Sequence, residues 1–223
     1  EKGLFLCDGE KFLSEQKELG IEPVYIFWKE NAKNPDDFPT SEHYILPPEL
    51  FDYVSPMKNS PGPLTVVKIP DCSAPVGIRR AIALENLQDP GNVGTILRTA
   101  CALGIDLVIL LGDCADLYNP KTVKASMGAI LKQRVLSANI PELKQIAQQN
   151  SLDIVGTVLH KTSVSIKETD LSSGIVCIGN EGKGLSDELV SLCDRLIVIP
   201  MVPGSESFNA GVAAAICMWE MTR

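Results

Sequence analysis

Two hydrophobic patterns alternate along most of this chain. Short, mostly apolar runs of Val, Ile, Leu and Ala occur at residues 80–84, 107–111, 154–159, 175–178 and 196–199. Between them lie segments whose apolar residues recur every three or four positions, at 93–103, 121–131, 141–149 and 207–222. In the first of these Val93, Ile96, Leu97, Ala100 and Cys101 form one helical face. Continuous apolar runs predict strands buried on both faces. Their alternation with amphipathic helices predicts an α/β fold around a parallel sheet.

The first 70 residues predict a smaller α/β unit. Residues 4–7 are apolar, Asp8-Gly9 is a turn signal, and 11–19 has helical spacing through Phe12, Leu13 and Leu19. Gly20 is placed to end that helix in a left-handed conformation. Residues 24–28 and 64–69 have the β-branched and aromatic composition of strands. Residues 31–40, rich in Asn, Asp and Pro, predict a loop, and 47–54 a short helix led by proline. Residues 70–77, which hold Pro70, Pro75 and Gly77, predict a linker, and 55–63 a second loop. The expected division is a unit of residues 1–70 and a domain of residues 78–223.

Composition narrows the function by exclusion. The chain is 45% hydrophobic and 22% charged, as in soluble globular proteins. No apolar run reaches the roughly 18 residues that span a bilayer, and the opening has no secretory signal pattern, which predicts a cytoplasmic protein. Seven cysteines without a CxxC pair predict reduced, mostly buried thiols, and two histidines argue against a zinc site. The net charge of −8 excludes a general polyanion binder. Residues 1–75 carry 7 Lys/Arg against 13 Asp/Glu, and residues 76–223 carry 13 against 15. Any nucleic-acid contact must therefore use local patches. The notable basic cluster is Lys121, Lys124, Lys132 and Arg134, which reads either as phosphate contacts or as a solvated helix face.

Three polar, glycine-rich loops lie where ligands bind in such sheets, beyond the C-terminal ends of strands. The first is residues 85–94, leading into a helix that carries Arg98. Asn92 can cap that helix, and Arg98, about one and two-thirds turns further on, can reach back to form a phosphate site with the exposed N–H groups. The second is Gly179-Asn180-Glu181-Gly182-Lys183-Gly184-Leu185-Ser186. It is not a Walker loop, because Gly184 follows Lys183 where Ser or Thr is needed. Ser186, followed by Asp187 and Glu188, starts the next helix. The third, residues 200–209, runs into the small residues Ala210, Gly211, Ala213, Ala214 and Ala215, which suit close helix packing within the chain or against a second copy. Ser207 has no His or Lys placed to activate it as a nucleophile.

In order and spacing these loops resemble the three signature motifs of the SpoU/TrmH methyltransferases of the SPOUT superfamily. The first matches through Asn92, Gly94 and Arg98, and the second through Gly179-Asn180-Glu181-Gly182 and Gly184. The third matches through Ile199-Pro200-Met201, Gly204 and Ser207-Phe208-Asn209, and residues 125–129 resemble an intermediate segment. The third motif departs from the common Ser-Leu-Asn-Val-Ser, since Phe208, Ala210 and Gly211 replace three of its residues. The likeness covers roughly residues 78–223. A weaker one links residues 1–70 to the L30e-like substrate-binding domain of several members.

The resemblance implies a deep C-terminal trefoil knot and transfer of a methyl group from S-adenosylmethionine to a ribose 2′-hydroxyl of RNA. Ribosomal RNA is the first expectation and transfer RNA the second. It implies a cofactor site at Gly179, Ile199, Met201 and Phe208, a catalytic group of Asn92, Arg98, Glu181, Ser207 and Asn209, and RNA contacts at Arg98, Lys121 and Lys124. It also implies a homodimer through the catalytic domain and no metal. A non-catalytic RNA-binding protein with the same fold is the main rival. A nucleotide-dependent oxidoreductase is disfavoured, because the glycine fingerprint it needs is absent.

Overall fold

The structure, a computed structural model, describes residues 3–30, 32, 38–72, 75–202 and 204–223. Parts of the predicted loop at 31–40 and linker at 70–77, and Pro203 of the third loop, lie outside the described residues.

The chain begins with β1 (Leu4–Asp8), α1 (Glu10–Leu19), β2 (Tyr25–Lys29), β3 (Glu42–Leu46), α2 (Pro48–Val54) and β4 (Leu64–Lys68). These strands form one sheet in the order β1-β4-β2-β3, with β4 antiparallel to β1 and β2, and β3 parallel to β2. The helix α1 ends at Gly20 in the left-handed conformation, as its sequence predicts. The edge strand β3 has no strand pattern in its sequence because its residues are exposed or half-buried. It is held partly from the side, where the Trp28 indole N–H donates to His43 Nδ1 at 3.1 Å.

The remaining elements are β5 (Arg80–Glu85), α3 (Pro90–Leu103), β6 (Leu107–Leu111), α4 (Pro120–Ser126), β7 (Val135–Ala138), α5 (Ile140–Asn150), β8 (Ile154–Thr157), β9 (Val164–Ser165), β10 (Gly174–Ile178), α6 (Asp187–Leu192), β11 (Arg195–Val198) and α7 (Ala210–Glu220). Seven strands form a parallel sheet in the order β7-β6-β5-β10-β8-β11-β9. Successive residues of its central strands enter opposite cores. Ile82, Leu84, Val108, Val176 and Ile178 pack with residues of α3 and α7, whereas Ala81, Ala83, Ile109, Ile175 and Cys177 pack with residues of α5 and α6. Every residue of β6 and β10 is buried, which is why these strands read as unbroken apolar runs.

Three predicted helices have different ends. α3 starts earlier than its apolar period, and Asp89 rather than Asn92 caps it, with the Asp89 carboxylate accepting the Gly91 N–H at 2.6 Å. Pro90 occupies the first helical position, where a missing N–H is harmless. Asn92 is thereby released from capping. The helix expected over 121–131 stops at Ser126, because Met127 and Gly128 turn left-handed before a 3-10 turn at Ala129–Leu131. α7 begins at Ala210 rather than Ser207, since Asn209 caps it.

The first unit packs on α4 and the 3-10 turn that follows it. Phe5, Phe12 and Val67 of the first unit cluster with Val123 and Ile130 of the second, and the Phe5 and Tyr118 rings lie 4.7 Å apart. Lys132 forms an ion pair with Glu15, so it is not an open phosphate contact. The hydrogen bond to Glu15 raises the Lys132 pKa.

Helices α3 and α4 meet without room for a side chain at Gly94. A Cβ there would lie 2.5 Å from the Thr122 carbonyl oxygen and 2.6 Å from the Ala125 Cβ. In an open helix Gly→Ala is favourable by about 1 kcal/mol. Here overpacking reverses the sign, and Gly94→Ala is expected to lose about 1–3 kcal/mol, measured as a lowered midpoint in urea denaturation.

Candidate functional site

The loops leaving β5, β10 and β11 converge beyond the C-terminal edge of the parallel sheet, and side-chain hydrogen bonds join them. Asn92, in the first turn of α3, donates its amide N–H to Glu181 Oε1 at 2.8 Å. Its amide oxygen accepts from Asn209 Nδ2 at 3.0 Å. The Asn209 oxygen in turn caps α7, accepting the N–H groups of Gly211 at 2.9 Å and Val212 at 3.3 Å. Each amide is oriented by its neighbours. The oxygen of Asn209 faces helix donors, so its nitrogen faces Asn92, and the nitrogen of Asn92 then faces the carboxylate. Three predicted catalytic residues from three distant segments therefore form one chain.

The loop that carries Glu181 is a closed turn. Asn180 and Gly184 exchange backbone hydrogen bonds of 3.1 and 2.9 Å. The Asn180 side-chain oxygen accepts from Gly182 and Lys183, and its nitrogen donates to the Asn86 carbonyl at 2.9 Å. Gly179 packs so tightly on the Gly184 and Leu185 backbone that a Cβ would overlap it. Packing thus demands this glycine independently of any ligand.

Between the ends of β8 and β11 and the segment before α7 is an apolar cavity of about 130 Å³. Ile199, Met201, Ser207 and Phe208 line it together with Thr157 and Leu159. Three of the four residues predicted to bind the cofactor thus share one wall, with Ser207 beside them, and Gly179 is not part of it. The cavity is smaller than a typical site for a whole drug-sized ligand. It suits one flat apolar portion of a larger molecule.

Arg98 is exposed on α3 and makes no hydrogen bond or ion pair among the described residues. It is not tied to the amide chain. Lys121 and Lys124 are exposed, three residues apart on α4, which packs on α3. Among the described residues no group of three or more His, Cys, Asp or Glu side chains is placed to hold a metal ion. All seven cysteines are free thiols. Burial pushes Cys7 and Cys217 up to about 12, which leaves them inert as nucleophiles.

A second cavity, of about 450 Å³, opens next to the amide chain, where Asn92, Thr95 and Asn209 meet Val212 and Trp219 of α7. Trp219 is 59% exposed and Val212 47%. The small residues Ala210 and Ala214, expected at a dimer contact, are instead buried inside the subunit core. The apolar face that α7 leaves open carries Val212, Ala215 and Trp219, and Trp219 was not singled out in the sequence. Also missed were Glu85, Asn180 and Ser186 as partners, for which adjacency in the chain gives no signal.

With this geometry in view, the family profile described as the SpoU rRNA Methylase family matches residues 79–219. A Bacillus subtilis (strain 168) protein named 23S rRNA (guanosine(2553)-2′-O)-methyltransferase RlmP is 29% identical over 97% of this chain and 88% of its own. An uncharacterized tRNA/rRNA methyltransferase of Synechocystis sp. is 38% identical over 68% of this chain and 56% of its own. The solved SpoU methyltransferase AviRb from Streptomyces viridochromogenes aligns with a TM-score of 0.88 at 27% identity, over 99% of this chain and 89% of that one. Its complex with the cofactor AdoMet aligns at 0.85 and 26%, over 99% and 90%.

Asn209 both caps α7 and orients Asn92. Asn209→Ala is expected to lower stability by roughly 0.5–2 kcal/mol and to speed amide hydrogen exchange in residues 179–186. Urea denaturation and exchange mass spectrometry on the ligand-free protein check both effects.

Proposed function

We propose that this chain, which belongs to the SpoU rRNA methylase family, methylates the 2′-hydroxyl of a ribose in ribosomal RNA. It is an RNA methyltransferase, and its cofactor is S-adenosylmethionine. The observation that carries the reading is the hydrogen-bonded chain Glu181–Asn92–Asn209 set beside the apolar wall of Ile199, Met201 and Phe208. That wall fits an adenine ring, with Ser207 as a polar group beside it.

S-adenosylmethionine supplies a methyl group on a positively charged sulfur, already activated for transfer. The protein must add alignment of the acceptor oxygen and a place for its proton. Asn92 holds one oxygen of Glu181, and the other oxygen has no partner among the described residues, so it can receive a hydrogen bond from a ribose hydroxyl. Arg98 is open to solvent and offers a planar fork for an RNA phosphate. Its guanidinium stays protonated, so it stabilises developing negative charge and does not act as a base.

Lys121 and Lys124 extend the path of the RNA along α4. Ribosomal RNA is favoured over transfer RNA by the name of the Bacillus subtilis relative, whose likeness spans the first unit as well. Residues 1–70 then serve as an L30e-like selector of substrate and residues 78–223 as the catalytic domain. The net −5 of residues 1–70 directs the first unit toward RNA shape or splayed bases rather than dense phosphate contact. The family resemblance extends this reading to a C-terminal trefoil knot, in keeping with the way distant loops close on Asn92. Seven free cysteines favour the cytoplasm, and among the described residues no helix is long and apolar enough to cross a membrane.

The test is transfer of labelled methyl to ribosomal RNA, followed by alkaline hydrolysis. A 2′-O-methyl leaves one linkage resistant, whereas methyl recovered on a base, or on transfer RNA alone, overturns the assignment. In that assay Arg98→Lys is expected to lower turnover at least tenfold while leaving S-adenosylmethionine affinity, read by titration calorimetry, within about twofold.

The proposed enzyme is a homodimer through the open face of α7. The support is the exposed Trp219 and Val212 beside the amide chain. Light scattering at micromolar concentration is expected to give the mass of two chains, and Trp219→Glu the mass of one.

A further inference from the structure

One buried carboxylate has no part in the chemistry above. Glu85, the last residue of β5, is 4% exposed and has no ion pair among the described residues. Both of its oxygens accept from a single residue. Ser186 donates its backbone N–H to Oε2 at 2.7 Å and its hydroxyl to Oε1 at 2.6 Å. The Ser186 hydroxyl oxygen also accepts the Leu189 N–H at 3.2 Å, the bond that caps α6. The direction of each bond is therefore fixed, because the one hydroxyl hydrogen goes to Glu85. Capping alone does not need the carboxylate, and burying a charge without a counter-ion is costly. The clamp has to be explained by what it holds.

It holds the Glu181 turn. Ser186 is the exit of that turn and Asn180 its entrance, and both are fastened to consecutive residues of the β5 end. Ser186 bonds the Glu85 carboxylate and Asn180 bonds the Asn86 carbonyl. Between these anchors the Asn180–Gly184 pair closes the turn, with Glu181 directed at Asn92. Sites of this kind work within about 0.5 Å of the productive geometry, and the distance from β5 to α3 sets how far Glu181 must reach.

We propose that Glu85 is a positioning residue for methyl transfer, holding the 180–186 turn so that Glu181 meets Asn92 and the acceptor hydroxyl. The inference rests on the methyltransferase reading above. Glu85→Gln keeps the shape but places an NH2 group against one of the two Ser186 donors. If that donor is the hydroxyl, which already accepts from Leu189, its hydrogen is left without a partner.

The test is a double-mutant cycle on kcat with the full chain, S-adenosylmethionine and ribosomal RNA, using Glu85→Gln, Glu181→Gln and the pair. Each single variant is expected to lose at least tenfold in kcat with KM for RNA changed less than threefold. Glu85→Gln should cost less than a further twofold once Glu181 is already Gln. A Glu85→Gln enzyme within twofold of wild type, or single losses that multiply in the pair, overturns the inference while leaving the methyltransferase intact. If Glu85→Gln does not fold, as judged by circular dichroism, Ser186→Ala removes the hydroxyl half of the clamp and takes its place in the cycle. There a loss of at least threefold that is likewise absorbed by Glu181→Gln supports the proposal, and any other result overturns it. A wild-type enzyme that transfers no methyl to ribosomal or transfer RNA overturns the underlying reading as well.

Discussion

Asn92 can be satisfied in only one orientation, and the arrangement of the active loops depends on it. A side-chain amide has one end that gives hydrogens and one that takes them. In this protein the giving end meets Glu181 and the taking end meets Asn209. The far end of the chain is grounded in the N-terminus of α7, whose backbone N–H groups cannot be turned round. Helix geometry is thus passed through two amides to a carboxylate. Loops that are far apart in sequence are held in register by the direction of hydrogen bonds as well as by packing.

The parts of the fold legible in the sequence are those where burial is complete. β6 and β10 are buried at every residue, so their runs are apolar throughout and their strand character is plain. Helix α5 shows its period in the sequence, and the structure adds the Asn139 capping box that starts it. What was hidden is hidden for physical reasons. The edge strand β3 faces solvent and carries no pattern. The break after Ser126 depends on left-handed residues, one of them Met127, whose side chain does not announce such a conformation.

The candidate site was named from the sequence, but the hydrogen bonds that join Asn92, Glu181 and Asn209 were not. Asn92, Glu181 and Asn209 stand out through their resemblance to the family's loop motifs, since each alone reads equally well as a helix cap or a solvated loop residue. Their pairing needed coordinates, since the partners are 89 and 117 residues apart. The capping role expected of Asn92 falls to Asp89, which explains how Asn92 is free to serve the site. Small residues of α7 proved ambiguous in the sequence because Ala210 and Ala214 meet their own subunit's core, while the exposed face of the helix is marked by an aromatic residue.

The seating of the first unit on α4 bears on target choice under the selector role proposed for it. Phe5, Phe12 and Val67 share a core with Val123 and Ile130, and the Glu15–Lys132 pair lies beside it. α4 in turn lies against α3 at Gly94 with no space to slide. The first unit is therefore not a bead on a string whose reach varies with the slack of a linker. Under the selector role proposed for that unit, an RNA it grips would present its chain to the loops of the second domain at a set offset. On that proposal the enzyme would work as a caliper, and an added or missing nucleotide between the gripped element and the target would bring a different ribose between its jaws.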